Sequence, residues 1–181
     1  MSSEFEPVGG ETAWKGQIAE VRVERFRHAD GEEVTREVIA HQGAVGILAY
    51  DDEHVWLVRQ PREAVGKPDV LEVPAGKLDV EGEEPRATAE RELAEEIGKS
   101  AGRWRELKRF YTSPGFTDEQ VILYEATELS DAPDADGAGE EERIDIVPWP
   151  LDRLGEAIED CEDSKSLIGL LWLAREREGG Q

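Results

Sequence analysis

The chain has 181 residues, a length that fits one domain, or one domain with a small N-terminal appendage. Apolar residues make up 38% and charged residues 35%, and no apolar run approaches the roughly 18 residues of a membrane helix, so a membrane protein is excluded. The net charge of −22 opposes nucleic-acid binding and would also repel a phosphate-bearing substrate unless local arginines and bound metal ions offset it.

The N-terminal part of the chain is predicted to consist mainly of strands. Residues 1–12 are predicted to be a frayed tail, because they are polar and contain Gly9-Gly10. Apolar residues alternate with charged ones from Trp14 to Phe26, and a turn signal at residues 29–31 precedes a second strand, Val34–His41. Further strands are predicted at residues 43–50, 55–58 and 70–73, with a proline-containing segment at 61–68.

The C-terminal part is predicted to mix helices with strands. The clearest helix is Glu84–Ile97, because Pro85 suits a first turn and Gly98 suits a C-terminal cap. Strands follow at 104–111, 121–126 and 144–147, a polar loop at 130–142, and helices at 151–158 and 166–176. This order predicts an α+β chain, an α/β/α sandwich with a mixed sheet between helices and a small N-terminal antiparallel sheet region.

The single cysteine, Cys161, cannot form an intrachain disulfide. Its acidic neighbours would raise the pKa of a thiol, which argues against a nucleophile. Residues 1–10 also lack the basic start and apolar run of a secretory signal. We therefore expect a cytoplasmic location.

Three carboxylates on the predicted helix indicate a metal site. Glu92 and Glu96 are four residues apart and lie on one helix face, and Glu95 borders that face. Like charges at this spacing destabilise an isolated helix by about 0.2–0.5 kcal/mol per pair, whereas a bound cation would reverse the sign. Mg²⁺ prefers oxygen ligands. The alternative is a solvated acidic face, which is common in so acidic a chain.

Residues 76–98 closely resemble the Nudix box, GX5EX7REUXEEXGU, where U is a bulky apolar residue. The match extends from Glu83 through Arg91-Glu92 to Gly98, and Arg91 is placed to pair with Glu83. The chain departs from the pattern twice, with six residues instead of five after Gly76 and with Lys99 at the last U position. The resemblance implies a Nudix catalytic domain over residues 43–181, preceded by strands at 1–42 that serve dimerisation.

Several segments outside the box resemble the ADP-ribose pyrophosphatase branch of that family. Pro114, sixteen residues after Gly98, is similar to the proline that marks the branch. Residues 58–62 resemble the segment before the box, and residues 36–38 resemble the segment that crosses to the partner in dimeric members. The resemblance implies a homodimer that binds a small nucleoside diphosphate. From the net charge and the missing apolar run, we expect no binding to nucleic acid or to a membrane.

The resemblance also implies a ligand set and a mechanism. Two or three Mg²⁺ ions, with Mn²⁺ as the alternative, would be held by Glu92, Glu95, Glu96 and the carbonyl of Ala75. The general base would come from the segment Glu140-Glu141-Glu142, with Glu140 or Glu142 as the first candidates, unless this segment is an acidic linker. The candidates for substrate binding are Arg36, Arg59, Arg62, Phe26 and Pro114.

Other roles remain open for these candidates. Each arginine is equally suited to a surface ion pair, and Phe26, Trp14 or Phe116 either stacks on adenine or packs in the core. The leading hypothesis is metal-dependent hydrolysis of the pyrophosphate bond of ADP-ribose to AMP and ribose 5-phosphate. The alternatives are hydrolysis of nucleotide sugars, NADH or dinucleoside polyphosphates, and a non-catalytic nucleotide-binding regulator.

Overall fold

The computed structural model describes residues 4–133 and 143–179, which form two compact units. The first unit comprises residues 1–43 and 110–120, and the second comprises residues 44–109 and 121–181. Residues 110–120 thus belong to the first unit although they lie within the stretch predicted to be catalytic. No helix in the described part of the chain is long and apolar enough to cross a membrane.

The first unit is built on a three-stranded antiparallel sheet. Its strands are β1 (Phe5–Lys15), β2 (Glu20–His28) and β3 (Glu33–Ala40), in the order β1-β2-β3. A turn closed by a hydrogen bond of 2.9 Å from Gly16 N to Ala19 O joins the first two strands. Residues 110–120 join this unit through hydrogen bonds such as that from Ile39 N to Phe116 O, 2.8 Å.

Two predictions for this region are wrong. Residues 5–12 are not a frayed tail, because they pair with β2 from Phe5↔His28 onward. Most side chains of β1 are exposed, so this strand lacks the alternation of apolar residues that makes a half-buried strand recognisable. The single strand run predicted for residues 14–26 is also interrupted, by the turn at residues 16–19.

The second unit contains a mixed sheet of seven strands. These are β4 (Ala44–Tyr50), β5 (His54–Arg62), β6 (Lys67–Glu72), β7 (Ala75–Lys77), β8 (Lys99–Tyr111), β9 (Gln120–Asp131) and β10 (Asp145–Pro150). The main order is β10-β5-β4-β9-β8, with β6 beside β5 and β7 beside β4. The β4–β9 pair is parallel, whereas β4 is antiparallel to β7.

Among its described residues this unit also has three α-helices: α1 (Pro85–Ile97), α2 (Leu154–Asp160) and α3 (Ser164–Gly179). Consecutive residues of β4 face opposite sides of the sheet, as the pleat requires. Ile47 therefore packs with Leu93 of α1, whereas Leu48 packs with Leu170 of α3. The predicted α/β/α sandwich with a mixed sheet is confirmed.

The predicted boundaries of several strands were too narrow. β5 continues through Pro61 to Arg62 and β6 begins at Lys67, so most of the proline-containing segment belongs to strands. β9 continues to Asp131, so the start of the predicted polar loop is also a strand. Pairing with neighbouring strands extends these elements beyond their apolar cores.

Candidate active site

Helix α1 has the limits that local chemistry predicts. Pro85 opens the first turn, where its missing N–H costs no hydrogen bond. The helix ends at Gly98, which has a φ of 65° and donates its N–H to Ala94 O at 3.0 Å. Leu93 and Ala89 are fully buried, so this apolar face fixes the rotation of the helix and the direction of its glutamates.

Glu92 lies directly against the backbone of Gly76 in β7. A Cβ atom placed on Gly76 would lie only 2.2 Å from Cγ, Cδ and Oε1 of Glu92. The absent side chain of Gly76 is therefore the space that the Glu92 carboxylate fills. This contact gives a physical reason for a glycine at the start of the motif.

Arg91 binds three carboxylates at once. Its Nη1 is 2.8 Å from Glu92 Oε1 and 2.8 Å from Glu95 Oε2, and its Nη2 is 3.2 Å from Glu83 Oε2. The predicted Arg91–Glu83 pair is thus present in the structure. Hydrogen bonds from Arg91 and from Thr88 lower the pKa of the Glu83 carboxyl, so Glu83 stays ionised.

Glu96 is almost completely buried and is tied to the strand that faces it. Only 6% of the residue is exposed, and its Oε2 accepts a hydrogen bond of 3.0 Å from Ala75 N. The preceding carbonyl, Pro74 O, accepts a hydrogen bond from Ile47 N at 2.8 Å. The turn from β6 into β7 is therefore fixed both to the central sheet and to α1.

The donor chemistry at this place suits a hard divalent cation. Glu92, Glu95, Glu96 and the Ala75 carbonyl offer only oxygen atoms, which Mg²⁺ and Mn²⁺ accept. The guanidinium of Arg91 already holds positive charge between two of the carboxylates. No group of three or more His, Cys, Asp or Glu side chains within residues 4–133 and 143–179 is arranged to hold a metal. The donor atoms are therefore of the type that a divalent ion binds. In the structure, Arg91 pairs with Glu92 and Glu95, and the N–H of Ala75 donates to Glu96.

Arg62 is oriented by a carboxylate that the sequence analysis missed. Its Nε and Nη2 donate to the two oxygens of Glu72 at 2.6 and 2.8 Å, a bidentate pair. This pairing, with smaller contributions from the charges of Asp163 and Glu96, raises the pKa of Arg62. Glu72 is only 2% exposed and interrupts the apolar run Val70–Val73, and that interruption is the signal that could have identified it.

Arg59 forms ion pairs at the end of β5. It binds Asp160 of α2, and its Nη1 is 3.2 Å from Asp69 Oδ1. A quarter of its side chain remains exposed. A phosphate-binding role for Arg59 stays a prediction, and it would require exchange with one of these carboxylates.

The first unit brings three of the predicted substrate-binding residues to one cavity. Phe26, Arg36 and Pro114 line a space of about 580 Å³. Phe5 also lines this cavity, and its ring meets that of Phe26 edge-on with centroids 5.4 Å apart. Phe5 was missed because it falls in the segment predicted to be a tail.

The other aromatic candidates, Phe116 and Trp14, lie in different places. Phe116 lines the same cavity. The ring of Trp14 covers Gly16, and the residue as a whole is 58% exposed. The catalytic candidates Glu140, Glu141 and Glu142 lie outside the described residues.

Lys99, the second departure from the motif, has a structural explanation. Its ammonium lies 4.5 Å from the centroid of the Trp56 ring and 2.7 Å from Asp131 Oδ1. The aliphatic part of the lysine can thus cover apolar surface while its charge is stabilised by a ring and a carboxylate. A polar residue is therefore tolerated where the motif usually has an apolar one.

Cys161 is buried beneath the sheet. Its burial raises the pKa of its thiol, and its Sγ lies 3.7 Å from Leu71 O. The sequence argument against a nucleophile also relied on a raised pKa, although it attributed the shift to acidic neighbours. Desolvation is the larger cause.

Comparison with known proteins gives consistent matches over most of the chain. The NUDIX domain model matches residues 40–167. The methanol dehydrogenase activator of Bacillus methanolicus is 37% identical over 166 residues, which cover 90% of this chain and 89% of that protein. The ADP-ribose pyrophosphatase of Mycobacterium tuberculosis is 41% identical over 149 residues, which cover 82% of this chain and 72% of that protein.

A solved structure described as an ADP compounds hydrolase has the same fold. Its TM-score is 0.82 at 22% identity, and the match covers 98% of this chain and 96% of that one. At this identity, the likeness speaks to the fold alone.

Proposed function

We propose that this chain, which belongs to the NUDIX family, is a pyrophosphohydrolase that converts ADP-ribose to AMP and ribose 5-phosphate. The observation that carries the proposal is that the Glu92 carboxylate occupies the space beside Gly76, one helical turn from the buried Glu96. This arrangement occurs in a chain that is 41% identical to a protein named ADP-ribose pyrophosphatase.

The proposed cofactor is Mg²⁺, with Mn²⁺ as an alternative, held by Glu92, Glu95, Glu96 and the Ala75 carbonyl. When bound, a divalent ion supplies positive charge for the diphosphate and activates water for attack. In the chain itself, Gly76 leaves the space that Glu92 occupies, and the N–H of Ala75 donates a hydrogen bond to Glu96. Local cations are needed because a net charge of −22 would otherwise repel the substrate.

Binding of the substrate is assigned to arginines and to the aromatic cavity. Arg62 and Arg59 would donate to phosphate oxygens, for which the planar guanidinium is well shaped. In this proposal Phe26 stacks on adenine beside Pro114. Because Arg36 lines the same cavity, all three would act on a substrate held by the partner subunit of a homodimer, so that Arg36 acts across the subunit boundary. One of the glutamates at 140–142 would take the proton from the attacking water.

The proposed assembly is a homodimer formed through residues 1–42, with residues 43–181 forming the catalytic domain. The exposed side chains of β1 support an intermolecular role for this sheet. We also propose a cytoplasmic location, because the only cysteine is a buried free thiol, which suits a reducing compartment.

The test is a panel of diphosphates assayed for AMP release with Mg²⁺. ADP-ribose, ADP-glucose, NADH and a diadenosine polyphosphate would be compared by kcat/KM, with Glu92→Gln as the inactive control. We expect ADP-ribose to be preferred at least tenfold. Equal turnover of ADP-glucose and ADP-ribose would contradict the ribose preference while leaving the chemistry intact.

A second candidate is a regulator that binds nucleotides without turnover. The match to a protein named methanol dehydrogenase activator over 90% of the chain favours keeping this alternative. The presence of all three glutamates of the motif disfavours it, because a binding module does not need them. Binding of ADP-ribose without release of AMP under any metal condition would support the regulator.

A further inference from the structure

A buried cluster of charged groups at the start of α3 joins Glu72, the partner of Arg62, to three residues that have no role in the site described so far. Its members are Asp163, Lys165 and Ser166 of the α3 start and Glu72 at the end of β6. The side chain of Lys165 is 13% exposed and that of Glu72 is 2% exposed. Two ionised groups are therefore held almost out of water, in contact with each other.

The charges of this cluster compensate one another. Lys165 Nζ donates to Glu72 and, at 2.9 Å, to Asp163 Oδ2, while Arg62 binds Glu72 from the other side. Burial alone would raise the pKa of Glu72, but hydrogen bonds from Arg62 and Lys165 more than offset it and lower the pKa. Glu72 is thus an ionised carboxylate between two cations.

Such a cluster adds little to the free energy of unfolding. Desolvation of buried ions costs about as much as their attraction returns, so apolar residues of similar volume would stabilise the fold as well or better. What a fully satisfied polar cluster does provide is a single, well-defined geometry. The relevant question is therefore which part of the chain the cluster fixes.

The segment that it fixes is residues 72–73. Ser166 is completely buried, its Oγ accepts a hydrogen bond of 2.8 Å from Val73 N, and it donates to Asp163. Asp163 also accepts the N–H of Ser166 at 3.0 Å, which locks the first turn of α3. The side chain of Glu72 and the backbone of Val73 are thus both held by residues 93 positions away in sequence.

This fixed segment leads directly to the candidate metal ligands. Two residues beyond Val73, the N–H of Ala75 meets the buried carboxylate of Glu96 at 3.0 Å. The next residue, Gly76, provides the space for Glu92. Any displacement of residues 72–73 would therefore move the backbone on which both carboxylates depend.

We infer that Lys165 is a positioning residue for the divalent-metal site: together with Ser166 it fixes Glu72 and Val73 so that Ala75 and Gly76 hold Glu96 and Glu92. The inference rests on the proposed function, because it assumes that these glutamates bind the metal. The contacts of Lys165 that carry the inference are those with Glu72 and Asp163, and its assigned role is to position the backbone rather than to bind the metal or the substrate.

The experiment measures Mn²⁺ binding by electron paramagnetic resonance, without substrate, on the folded full-length chain. Lys165→Met keeps the length and apolar body of the side chain and removes its charge. We expect its Kd for Mn²⁺ to rise by about 10- to 100-fold, the usual effect of losing a group that orients metal ligands. Ser166→Ala, which deprives the Val73 N–H of its acceptor, should weaken binding in the same direction.

The matched control is Lys67→Met. Lys67 also pairs with an acidic residue, Glu162 at 3.0 Å, but half of its side chain is exposed and it does not touch Glu72. We expect wild-type Mn²⁺ affinity in this control. Amide hydrogen exchange gives a second measurement, in which Ala75 should exchange faster in Lys165→Met while Leu123 in β9 stays protected.

The outcomes separate the inference from the proposed function. If Lys165→Met and Ser166→Ala bind Mn²⁺ with wild-type affinity, or if Lys67→Met is weakened equally, the inference is wrong even when the wild type hydrolyses ADP-ribose. If Lys165→Met does not fold, the Mn²⁺ affinity of Ser166→Ala decides whether the inference is right. If the wild type binds Mn²⁺ and the variants lose it, but no diphosphate is hydrolysed, the inference stands and the proposed function falls. A wild type that binds no Mn²⁺ overturns the inference.

Discussion

Gly76→Ala offers a sharp test of how the site is built. The backbone of Gly76 does not adopt a positive φ, so alanine is compatible with it. The new methyl group would lie 2.2 Å from the Glu92 carboxylate, whereas ordinary contacts begin at 3.4 Å. The carboxylate must therefore move by about 1 Å, while the main chain has no need to change.

The expected result is a large loss of activity with little loss of stability. A misplacement of 1 Å in a catalytic group can reduce the rate about 100-fold, equivalent to about 2.7 kcal/mol of transition-state stabilisation. The free energy of unfolding should change by less than about 1 kcal/mol, because the obstructed atoms belong to a flexible side chain and alanine reduces the entropy of the unfolded chain.

The assay is kcat/KM for ADP-ribose at several Mg²⁺ concentrations, together with urea unfolding. Gly155→Ala in α2 is the matched control, because a Cβ at Gly155 meets nothing within 4 Å and activity should remain at the wild-type level. Full activity in Gly76→Ala would show that Glu92 does not need the space beside this glycine. Loss of folding in Gly76→Ala would show that the contact is structural.

Three other outcomes follow from the same contacts. Glu96→Gln should reduce turnover by orders of magnitude. The circular dichroism spectrum should change little, because glutamine can still accept a hydrogen bond from the N–H of Ala75. Wild-type rates in this variant would show that Glu96 is not part of the metal site. Glu72 has a lowered pKa in the folded state, so its contribution to stability is present above its ordinary value of 4.5 and is lost as pH falls through the folded value. The difference in unfolding free energy between the wild type and Glu72→Gln should therefore be largest near pH 7 and shrink below about pH 4.5; a constant difference would contradict this. Light scattering at micromolar concentration should show a dimer, and a fully active monomer would exclude a role for Arg36 across the subunit boundary.

Much of the site could be located from sequence because its elements depend on local interactions. Pro85 and Gly98 define the limits of α1, and the apolar positions Ala89 and Leu93 determine which face is buried. Once that face is buried, the positions of Glu92, Glu95 and Glu96 on the helix are largely determined by its period of 3.6 residues. The strand β4 was equally clear, because a nearly continuous apolar run is typical of a strand covered on both sides.

Contacts between segments that are distant in sequence could not be predicted from local patterns. β1 forms because β2 pairs with it, and neither its composition nor its exposed side chains indicate a strand. The capture of Glu72 by Lys165 joins residues that are 93 positions apart, and no local pattern connects them. Glu72 was detectable only as a charge within an apolar run, which says that a partner exists but not where it lies.

The fold class, the resemblance to the family and the register of the acidic helix follow from the sequence, because periodicity and capping act over a few residues. The surroundings of those carboxylates follow from the folded chain: the space beside Gly76 that Glu92 fills, the N–H of Ala75, the bridging Arg91 and the ion cluster of Glu72, Asp163 and Lys165. A side chain's partners depend on which strands and helices pack together, and packing is a property of the whole chain.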